Sequence, residues 1–539
     1  MHQDLALHTG PLERPTSGSA TVPWLLDAAR TFGDERPFIH DLRSNQVVSF
    51  GSFLARVSAG ASALVRRYPK HSRIGVMSGN QSAALILRYA ISCAGMVEVA
   101  LHPSHRGAVL RNMIALAQPA VILADEASLA VLTALDTNVQ IGGPREIELM
   151  TSSMQAWGDR PKVAVKGTDP NRILFTSGTS GPSKGIELSH AYEVLTGHSY
   201  LRPLAIDSSA RWLYLTPICH IDAIYIMSIL LQSGGCFALA PNFSVSRFWS
   251  DVHDSAATHL CYVGAILSLI LKGQYSPPSH TLRIALGGGA SAAQIEAFET
   301  RFGVMVLEAF AMSECIACTM NHPGARRPGT VGTPLEGVLV AIAAENGRLL
   351  SPGETGEILV QSRERQNLFT RYLGHPKLTE LAFLTGWFRT GDLGVFDVDG
   401  YLTYKGRMGD AIRCKGENVS AAELEAIADA HQNVVGSAAV AIPSDLGEDD
   451  ILLYVEAVEP RKFDPEELVS FIASNAAAFM VPRYIHLLDR LPRTATQKPD
   501  KTGLARAPQT ATWRRPGVSF PEGPPAPQIR ASIDGRPDP

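Results

Sequence analysis

Residues 174–190, LFTSGTSGPSKGIELSH, place glycines, hydroxyl side chains and a lysine directly after the apolar run 173–175. Glycine lets the backbone turn sharply and bring its N–H groups close to a ligand. Hydroxyl groups and a lysine beside such amides favour an anion, most simply a phosphate. The spacing differs from the pattern G-x-x-x-x-G-K-[ST], because Lys184 is followed by Gly185. A linker would explain the serines and glycines but not the lysine, so we expect a phosphate-binding loop.

Apolar runs that alternate with helix-length segments surround this loop. Such alternation is typical of an α/β fold with largely parallel sheets, in which ligands bind beyond the carboxyl ends of the strands. After about residue 330 the sequence changes to short strands with glycine turns, and after about residue 410 to a compact α+β pattern. The predicted strands of the first part cover residues 73–79, 120–125, 172–178, 211–217, 258–264, 283–289 and 304–310.

The composition excludes several classes of function. The chain has 539 residues, is 45% hydrophobic and carries a net charge of −4, so it can bury a large core but has no basic surface that would indicate nucleic acid as a partner. The apolar run 223–231 is too short to span a bilayer, and no signal peptide is visible. Seven scattered cysteines are typical of reduced thiols. We therefore expect a cytoplasmic protein without a membrane span, whose oligomeric state stays open.

Seven stretches of the sequence, in order, resemble one family. The sequence is similar to the AMP-forming adenylating enzymes, which include acyl-CoA synthetases, the adenylation domains of peptide synthetases and luciferases. It looks most like their carnitine/crotonobetaine-CoA ligase branch. The stretches that carry the resemblance are TSGTSGPSKG (176–185), TPICHIDA (216–223), ALGGGAS (285–291), EAFAMSE (308–314), GWFRTGDLGVFDVDGYLTYKGR (386–407), IRCKGENVSAAELE (412–425) and LPRTATQKPDK (491–501).

The resemblance implies a fold and a domain order. It implies a large N-terminal domain, residues 21–408, built from two doubly wound α/β subdomains and a small β-barrel-like subdomain. A small, mobile α+β C-terminal domain would follow over residues 409–505. We expect a flexible N-terminus at residues 1–20 and a disordered proline-rich tail at residues 506–539, because that tail has little hydrophobic periodicity.

The resemblance also implies a reaction. A carboxylic acid would attack the α-phosphorus of ATP, release pyrophosphate and form an acyl-adenylate, and the acyl group would then pass to CoA. The cofactors would be ATP, Mg²⁺ and CoA, and the other partner a small carboxylic acid. A carrier protein, an amine or another non-thiol nucleophile stays open as the alternative acceptor, and a non-catalytic nucleotide-binding regulator is a remote alternative.

The resemblance assigns the ATP site residue by residue. Glu314 would bind Mg²⁺, Asp392 and Arg407 would contact the ribose, although either could instead form a surface ion pair, and Phe310 would stack on adenine. The phosphate-binding residues would be Thr176, Ser177, Gly178, Thr179, Ser180, Gly181, Lys184 and Ser313. The adenine would lie against Gly288, Gly289, Ala290, Glu308, Ala309 and Phe310.

The acyl pocket is less closely defined. His220 would lie near the acyl carboxylate and act in catalysis. Asp222 could select acids with a cationic or hydrogen-bond-donating group, or could form a structural ion pair. The predicted wall consists of His220, Asp222, Tyr262, Gly264, Gly287 and Met312.

The C-terminal domain would act in both half-reactions. Lys498 would bridge the carboxylate and the α-phosphate during adenylation, with Lys501 as the rival residue. Gly409 would be the hinge, and Gly416 would approach the pantetheine of CoA after the domain has turned.

These assignments predict that Lys498 serves only the first half-reaction. Lys498→Ala should lower acid-dependent pyrophosphate release by a factor on the order of hundreds, the range of one preorganised electrostatic contact. Thioester formation from supplied acyl-adenylate should persist. If Lys498→Ala keeps full adenylation and Lys501→Ala loses it, the assignment belongs to Lys501.

Overall fold

The computed structural model describes most of the chain and divides it into two compact units. The described residues are 14–135, 137–176, 184–273, 279–363, 367–408, 411–414, 417–443, 449–476, 480–494, 498–506 and 511–515. The first unit comprises Met1–Thr390 and Phe396–Thr403, and the second comprises Gly391–Val395 and Tyr404–Pro539. The predicted domain limits at residues 20, 408 and 505 stay predictions.

One sheet of the first unit carries the predicted phosphate loop. Its seven strands have the order β18-β8-β7-β4-β3-β5-β6. The four pairings among β3 to β7 are parallel, and β8 runs antiparallel to β7 and to β18. The strands are β3 (Arg73–Met77), β4 (Val97–Leu101), β5 (Val121–Ala124), β6 (Gln140–Gly142), β7 (Pro170–Thr176), β8 (Lys184–Ser189) and β18 (Arg371–Tyr372).

A second sheet carries the predicted adenine and acyl residues. Its nine strands have the order β15-β14-β13-β12-β11-β9-β10-β1-β2, and the central pairings are parallel. The strands are β1 (Pro37–Asp41), β2 (Gln46–Ser49), β9 (Arg211–Tyr214), β10 (Cys236–Leu239), β11 (His259–Val263), β12 (Ile284–Gly288), β13 (Met305–Met312), β14 (Cys315–Met320) and β15 (Thr333–Pro334).

Helices cover both sheets, and the central strands are therefore buried on both faces. The helices of the first unit are α1 (Val22–Ala29), α2 (Phe50–Val65), α3 (Ser82–Cys93), α4 (Gly107–Ala117), α5 (Glu126–Thr133), α6 (Pro144–Thr151), α7 (His190–Leu201), α8 (Ile221–Ser233), α9 (Phe248–Ser255), α10 (Gly264–Lys272), α11 (Ala292–Phe302) and α12 (Pro376–Leu381). Within the described residues, none of the helices has the length and apolar character needed to cross a membrane.

A small third sheet follows, with the order β16-β17-β20-β19 and with β21 paired to β20. Its strands are β16 (Val338–Ala343), β17 (Gly356–Ser362), β19 (Phe383–Leu384), β20 (Trp387–Phe396) and β21 (Leu402–Arg407). The chain passes between the two units within β20 and within β21. Two doubly wound sheets and a small β subdomain confirm the predicted fold of the large domain.

The second unit is α+β, as predicted. It contains the hairpin β22 (Ala411–Cys414) and β23 (Glu417–Ser420), and a four-stranded sheet in the order β24-β25-β26-β27. The strands of that sheet are β24 (Val434–Pro443), β25 (Asp449–Ala457), β26 (Tyr484–Leu488) and β27 (Trp513–Arg514), and its helices are α13 (Ala421–Asp429), α14 (Pro465–Asn475) and α15 (Lys501–Arg506).

A buried network of four charged side chains joins α3, β4, β7 and α7. Arg88 and Arg172 both donate to Glu98, and Arg172 also donates to Glu193 from Nε to Oε2 over 2.9 Å. Each of these side chains is at most 2% exposed. Arg88 donates in addition to the backbone oxygen of Ile218 over 2.6 Å. The network therefore fixes strands β4 and β7 relative to the segment that leads into α8.

Loss of Glu98 should destabilise the first unit strongly. Glu98→Ala leaves two buried guanidinium groups short of one carboxylate, a loss that typically costs about 3–5 kcal/mol. The exposed Glu345→Ala should stay within about 0.5 kcal/mol of the parent. Thermal unfolding followed by circular dichroism compares the two variants, and equal melting temperatures would contradict a structural role for the network.

The difference in melting temperature between the parent and Glu98→Ala should disappear in acid. Burial alone would raise the pKa of Glu98, but Arg88 and Arg172 hold it below the ordinary value of 4.5. A depressed carboxyl pKa stabilises the fold above the unfolded pKa, and that contribution is lost as the pH falls through the folded pKa. The melting temperatures of the parent and of Glu98→Ala should therefore begin to converge once the pH falls below the unfolded pKa of glutamate, about 4.3, and should meet only below the lower folded pKa.

Candidate functional site

The predicted phosphate loop lies between two paired strands. Strand β7 ends at Thr176 and β8 begins at Lys184, and these two residues are partners in the antiparallel register. Ser177, Gly178, Thr179, Ser180 and Gly181, like the side chain of Thr176, lie outside the described residues. Their assignment to phosphate stays a prediction, while the strands that lead into and out of the loop are in place.

The side chain of Tyr372 contacts both Lys184 and the predicted metal ligand, Glu314. The Nζ atom of Lys184 is 5.4 Å from the centre of the Tyr372 ring. The Tyr372 hydroxyl donates to Oε1 of Glu314 over 3.0 Å, and Glu314 is buried. The register of β8 with β18 places Tyr372 opposite Ile186, two residues after the lysine. A cation, a phenol and a carboxylate are thereby grouped at the base of the predicted loop.

The turn between β13 and β14 contains Ser313 and Glu314 and is held from two sides. The Tyr192 hydroxyl donates to the backbone oxygen of Ser313 over 3.1 Å. The backbone N–H of Phe369 donates to the backbone oxygen of Glu314 over 2.8 Å. Because these bonds fix the backbone of the turn, they also limit the directions in which the side chains of Ser313 and Glu314 can point.

Glu308 fastens the glycine-rich loop that follows β12. Its carboxylate accepts from the backbone N–H groups of Gly289 and Ala290, each over 3.0 Å, and from the hydroxyl of Tyr262. Burial raises the pKa of Glu308 to about 7, against these hydrogen bonds, which lower it. Residues assigned separately to adenine and to the acyl pocket thus form one connected wall.

Close backbone packing explains two of the glycines in this wall. A Cβ atom on Gly264 would lie 2.0 Å from the carbonyl oxygen of Gly289, and one on Gly287 would lie 2.0 Å from that of Tyr262. Gly289 itself has a φ of +89°, which L-residues with side chains rarely adopt. A side chain on Gly264 would displace the loop that follows β12, and one on Gly287 would displace the neighbouring strand β11.

The remaining predicted adenine and acyl residues follow along β12 and β13. A Cβ atom on Gly288 would lie 3.1 Å from the carbonyl oxygen of Ala309. Phe310 is buried, and Ala309 and Met312 are half-buried. Their contact with adenine or with an acyl group stays a prediction.

His220 lies in a group of three histidines. It is the residue before α8, and its ring centre is 5.3 Å from that of His102, which is 5.2 Å from that of His105. Burial and, to a smaller extent, His105 lower the pKa of His220 to about 4. Burial, His220, His105 and Arg106 lower the pKa of His102 to about 3. At neutral pH these rings are uncharged.

Asp222 acts on a different set of groups from His220. Its charge raises the pKa values of the buried tyrosines Tyr200, Tyr214 and Tyr225, together with their burial, which is the larger cause. It does the same for the thiol of Cys261 on β11. Asp222 therefore lies toward α7 and β11, whereas His220 lies toward the loop after β4. Whether it contacts the acid stays a prediction.

The second unit brings the two predicted ribose residues together. Oδ1 of Asp392 is 3.4 Å from Nε of Arg407 and accepts from the Tyr404 hydroxyl over 3.3 Å. Asp392 is buried, whereas the Arg407 side chain is 43% exposed. A carboxylate held by two donors is suited to accept hydroxyl groups in a fixed direction.

The two candidate lysines of the second unit differ in their surroundings. Nζ of Lys501 lies 2.8 Å from Oε1 of Glu425, so it already serves a half-buried ion pair. Lys498 is exposed. Which of the two lysines reaches a substrate stays a prediction. Gly409 and Gly416, the predicted hinge and CoA-side residues, lie outside the described residues.

The sequence interpretation missed Tyr372, Tyr192 and the histidines at 102 and 105. Tyr372 and Tyr192 had no signal, because only the folded chain shows their hydroxyls bound to Glu314 and to Ser313. The sequence LHPSH at 101–105 did carry a signal, since polar residues that follow the end of a buried parallel strand are candidates for a ligand site.

The contact between Gly264 and Gly289 yields a prediction. Gly264→Ala should push the glycine loop away and lower the adenylation rate on the order of 100-fold, the typical cost of displacing a binding wall by about 1 Å. Gly158→Ala, where a Cβ meets nothing within 4 Å, is the matched control. Steady-state rates and melting temperatures of both variants are measured, and parental activity in folded Gly264→Ala would refute the role of this contact.

Comparison with known proteins assigns the chain to a family. Residues 25–373 match the AMP-binding enzyme family, and residues 423–498 match the AMP-binding enzyme C-terminal domain. ATP-bound MatB from Rhodopseudomonas palustris has a similar structure, with a TM-score of 0.80 and 25% identity over 90% of this chain and 98% of that one.

Three curated relatives are named as CoA ligases. A probable CoA ligase CCL9 of Humulus lupulus is 32% identical over 62% of this chain and 66% of its own length, just under two thirds. The crotonobetaine/carnitine–CoA ligase of Citrobacter koseri is 30% identical over 62% and 66%. The medium/long-chain-fatty-acid–CoA ligase FadD17 of Mycobacterium marinum is 27% identical over 91% and 96%. With its large and C-terminal domains both matched, the chain belongs to the AMP-binding enzyme family, the predicted adenylating superfamily.

Proposed function

We propose that this protein is an AMP-forming ligase that activates a carboxylic acid as its acyl-adenylate and transfers the acyl group to CoA. The observation that carries the proposal is the grouping of Lys184, Tyr372 and Glu314 at the base of the loop between β7 and β8. This grouping offers one cation for phosphate oxygens and one buried carboxylate for a metal, on elements that the family match covers.

Adenylation requires charge to be neutralised and water to be excluded. A carboxylate oxygen attacks the α-phosphorus of ATP, and the bond to pyrophosphate breaks. Lys184 binds phosphate oxygens of the leaving pyrophosphate, and Ser313 contacts the α-phosphate. Such preorganised contacts stabilise the charge that develops in the transition state. Lys498 of the second unit supplies a further cation between the carboxylate and the phosphate.

Mg²⁺ fits the residues around Glu314. A buried carboxylate that is oriented by the Tyr372 hydroxyl is the hard oxygen ligand that Mg²⁺ prefers, and this metal commonly keeps its remaining ligands as water and phosphate. When bound, Mg²⁺ would neutralise negative charge on the phosphate oxygens. Glu314 would hold it at the turn between β13 and β14.

CoA is the acceptor that the relatives favour. The relatives described above are named CoA ligases, and the fatty-acid ligase is matched over 96% of its length. The thiol of CoA would attack the acyl carbon and release AMP. We propose that the C-terminal domain, from residue 409, turns about Gly409 between the two steps and that Gly416 then faces pantetheine.

An acid screen tests the proposed function. Pyrophosphate release is measured over a library of carboxylic acids with and without CoA, and the products are identified by mass spectrometry. We expect AMP, pyrophosphate and an acyl-CoA thioester for at least one acid. ADP as the product would reject the reaction, and an acyl-adenylate that never transfers to CoA would reject the acceptor.

The proposed metal ligand predicts a change in magnesium dependence. Glu314→Gln replaces a carboxylate ligand by a neutral amide and should raise the Mg²⁺ concentration for half-maximal adenylation roughly tenfold or more, the range of a lost metal contact. Tyr372→Phe keeps the carboxylate and removes only its donor, so it should have a smaller effect of the same sign. Magnesium titrations of both variants are compared, and an unchanged curve for Glu314→Gln would remove this residue from the metal site.

A further inference from the structure

His102 presents a buried hydrogen-bond donor that the described protein does not use. The ring follows β4 and is 7% exposed. Its Nδ1 atom accepts from the backbone N–H of Ser104 over 3.0 Å, so Nδ1 carries a lone pair. In a neutral imidazole the proton must then be on Nε2. Nε2 is buried and has no hydrogen-bond partner in the part of the chain that the structure describes.

An unsatisfied buried donor costs free energy until an acceptor arrives. We infer that Nε2–H of His102 donates to an oxygen of the acid substrate, remote from the carboxylate that is activated, and that the enzyme thereby selects acids with a second oxygen group. Suitable groups are a second carboxylate, a sulfonate or a hydroxyl. This inference rests on the proposed ligase function and names the substrate class of the same site.

The surroundings of His102 favour an oxygen acceptor over a cation. His105 and His220 flank the ring, and Nδ1 of His105 is likewise buried without a partner among the described residues. Arg106 is the charged side chain that acts on both His102 and His105. The N-terminus of α8 begins directly after His220, and its amide dipoles favour a negative group. Asp222 in the same turn carries the opposing charge, but that charge acts on Tyr214, Tyr225 and Cys261.

A metal ion is a weaker explanation of the same group. Ligand atoms of His102, Cys219 and His220 lie within 4.8 Å of one another, a spacing that could hold a metal. Coordination by Nε2 of His102 would require its proton to move to Nδ1, where it would face the Ser104 N–H at 3.0 Å. The tautomer that the backbone imposes makes this ring a donor and not a ligand.

The position of His102 places the donor at the predicted substrate site. Strand β4 pairs with β7 in parallel, with Val99 opposite Ile173. Three residues after this pair, the segment that follows β4 reaches His102, and β7 reaches Thr176, where the predicted phosphate loop begins. His220 follows β9 of the other sheet and belongs to the predicted acyl wall. The donor thus lies on the α8 side of the site, where the acid rather than the nucleotide is expected.

Two variants of His102 separate the donor from the ring. His102→Phe keeps an aromatic ring without a donor, whereas His102→Gln can place an amide N–H near the position of Nε2. The acids are tested as pairs, succinate against butanoate and 4-hydroxybenzoate against benzoate. Adenylation is followed by pyrophosphate release, with melting temperatures and the KM for ATP measured alongside.

We expect the parent enzyme to prefer the oxygen-bearing acid of a pair that it accepts. His102→Phe should lower kcat/KM for that acid roughly 10- to 100-fold, because a polar site then loses its donor, and should change the plain acid less than about threefold. His102→Gln should recover part of the preference. The KM for ATP should stay near the parental value.

A second buried histidine provides the matched control. His190 also has Nδ1 as an acceptor, from the Val22 N–H over 3.3 Å, and an Nε2 without a partner among the described residues, but it is fully buried in the core. His190→Phe should leave the ratio between paired acids unchanged.

The outcomes distinguish this inference from the function on which it rests. If no acid yields AMP and pyrophosphate, the proposed function fails. If acids are activated but His102→Phe lowers both members of each pair equally, the inference fails while the function stands. A selective rise in the KM for ATP would also overturn it, since the acceptor would then be a phosphate oxygen.

Discussion

The buried network of Arg88, Glu98, Arg172 and Glu193 fixes the strands that lead into the predicted site of the first unit. Four charges without access to water are stable only when their geometry satisfies them all, so the elements that carry them have little freedom to slide. Glu98 and Arg172 lie on β4 and β7, whose carboxyl ends lead to His102 and to the predicted phosphate loop. Well-packed apolar residues could stabilise this core as well, but they would fix the register less strictly.

The same network reaches the second sheet through a backbone contact. Arg88 donates to the carbonyl of Ile218, two residues before His220, and so links the seven-stranded sheet to the entry of α8. Glu308 performs a comparable task on the other side, where it holds the glycine loop by two amides. Charged side chains thus hold the backbone in place on both sides of the predicted site.

Periodicity and turn residues were sufficient to predict seven of the strands and an α/β fold with largely parallel sheets, whereas the two doubly wound subdomains followed from the family resemblance. The predicted run 258–264, for example, corresponds to β11, and Gly264 indeed begins the helix after it. The sequence could not show that Glu308 binds the glycine loop, that Tyr372 joins Lys184 to Glu314, or that Asp222 and His220 act on different groups. These relations depend on contacts between residues far apart in the chain, for which neither propensity nor spacing carries information.

The fate of the carboxylate oxygens tests the proposed chemistry most directly. An acid that the enzyme accepts is labelled with ¹⁸O in its carboxylate and incubated with ATP, Mg²⁺ and CoA, and the products are examined by mass spectrometry. Attack of the carboxylate on the α-phosphorus, followed by attack of the thiol on the acyl carbon, predicts one ¹⁸O atom in AMP, one in the thioester and none in pyrophosphate. AMP without label, or label in a released phosphate, would contradict an acyl-adenylate intermediate.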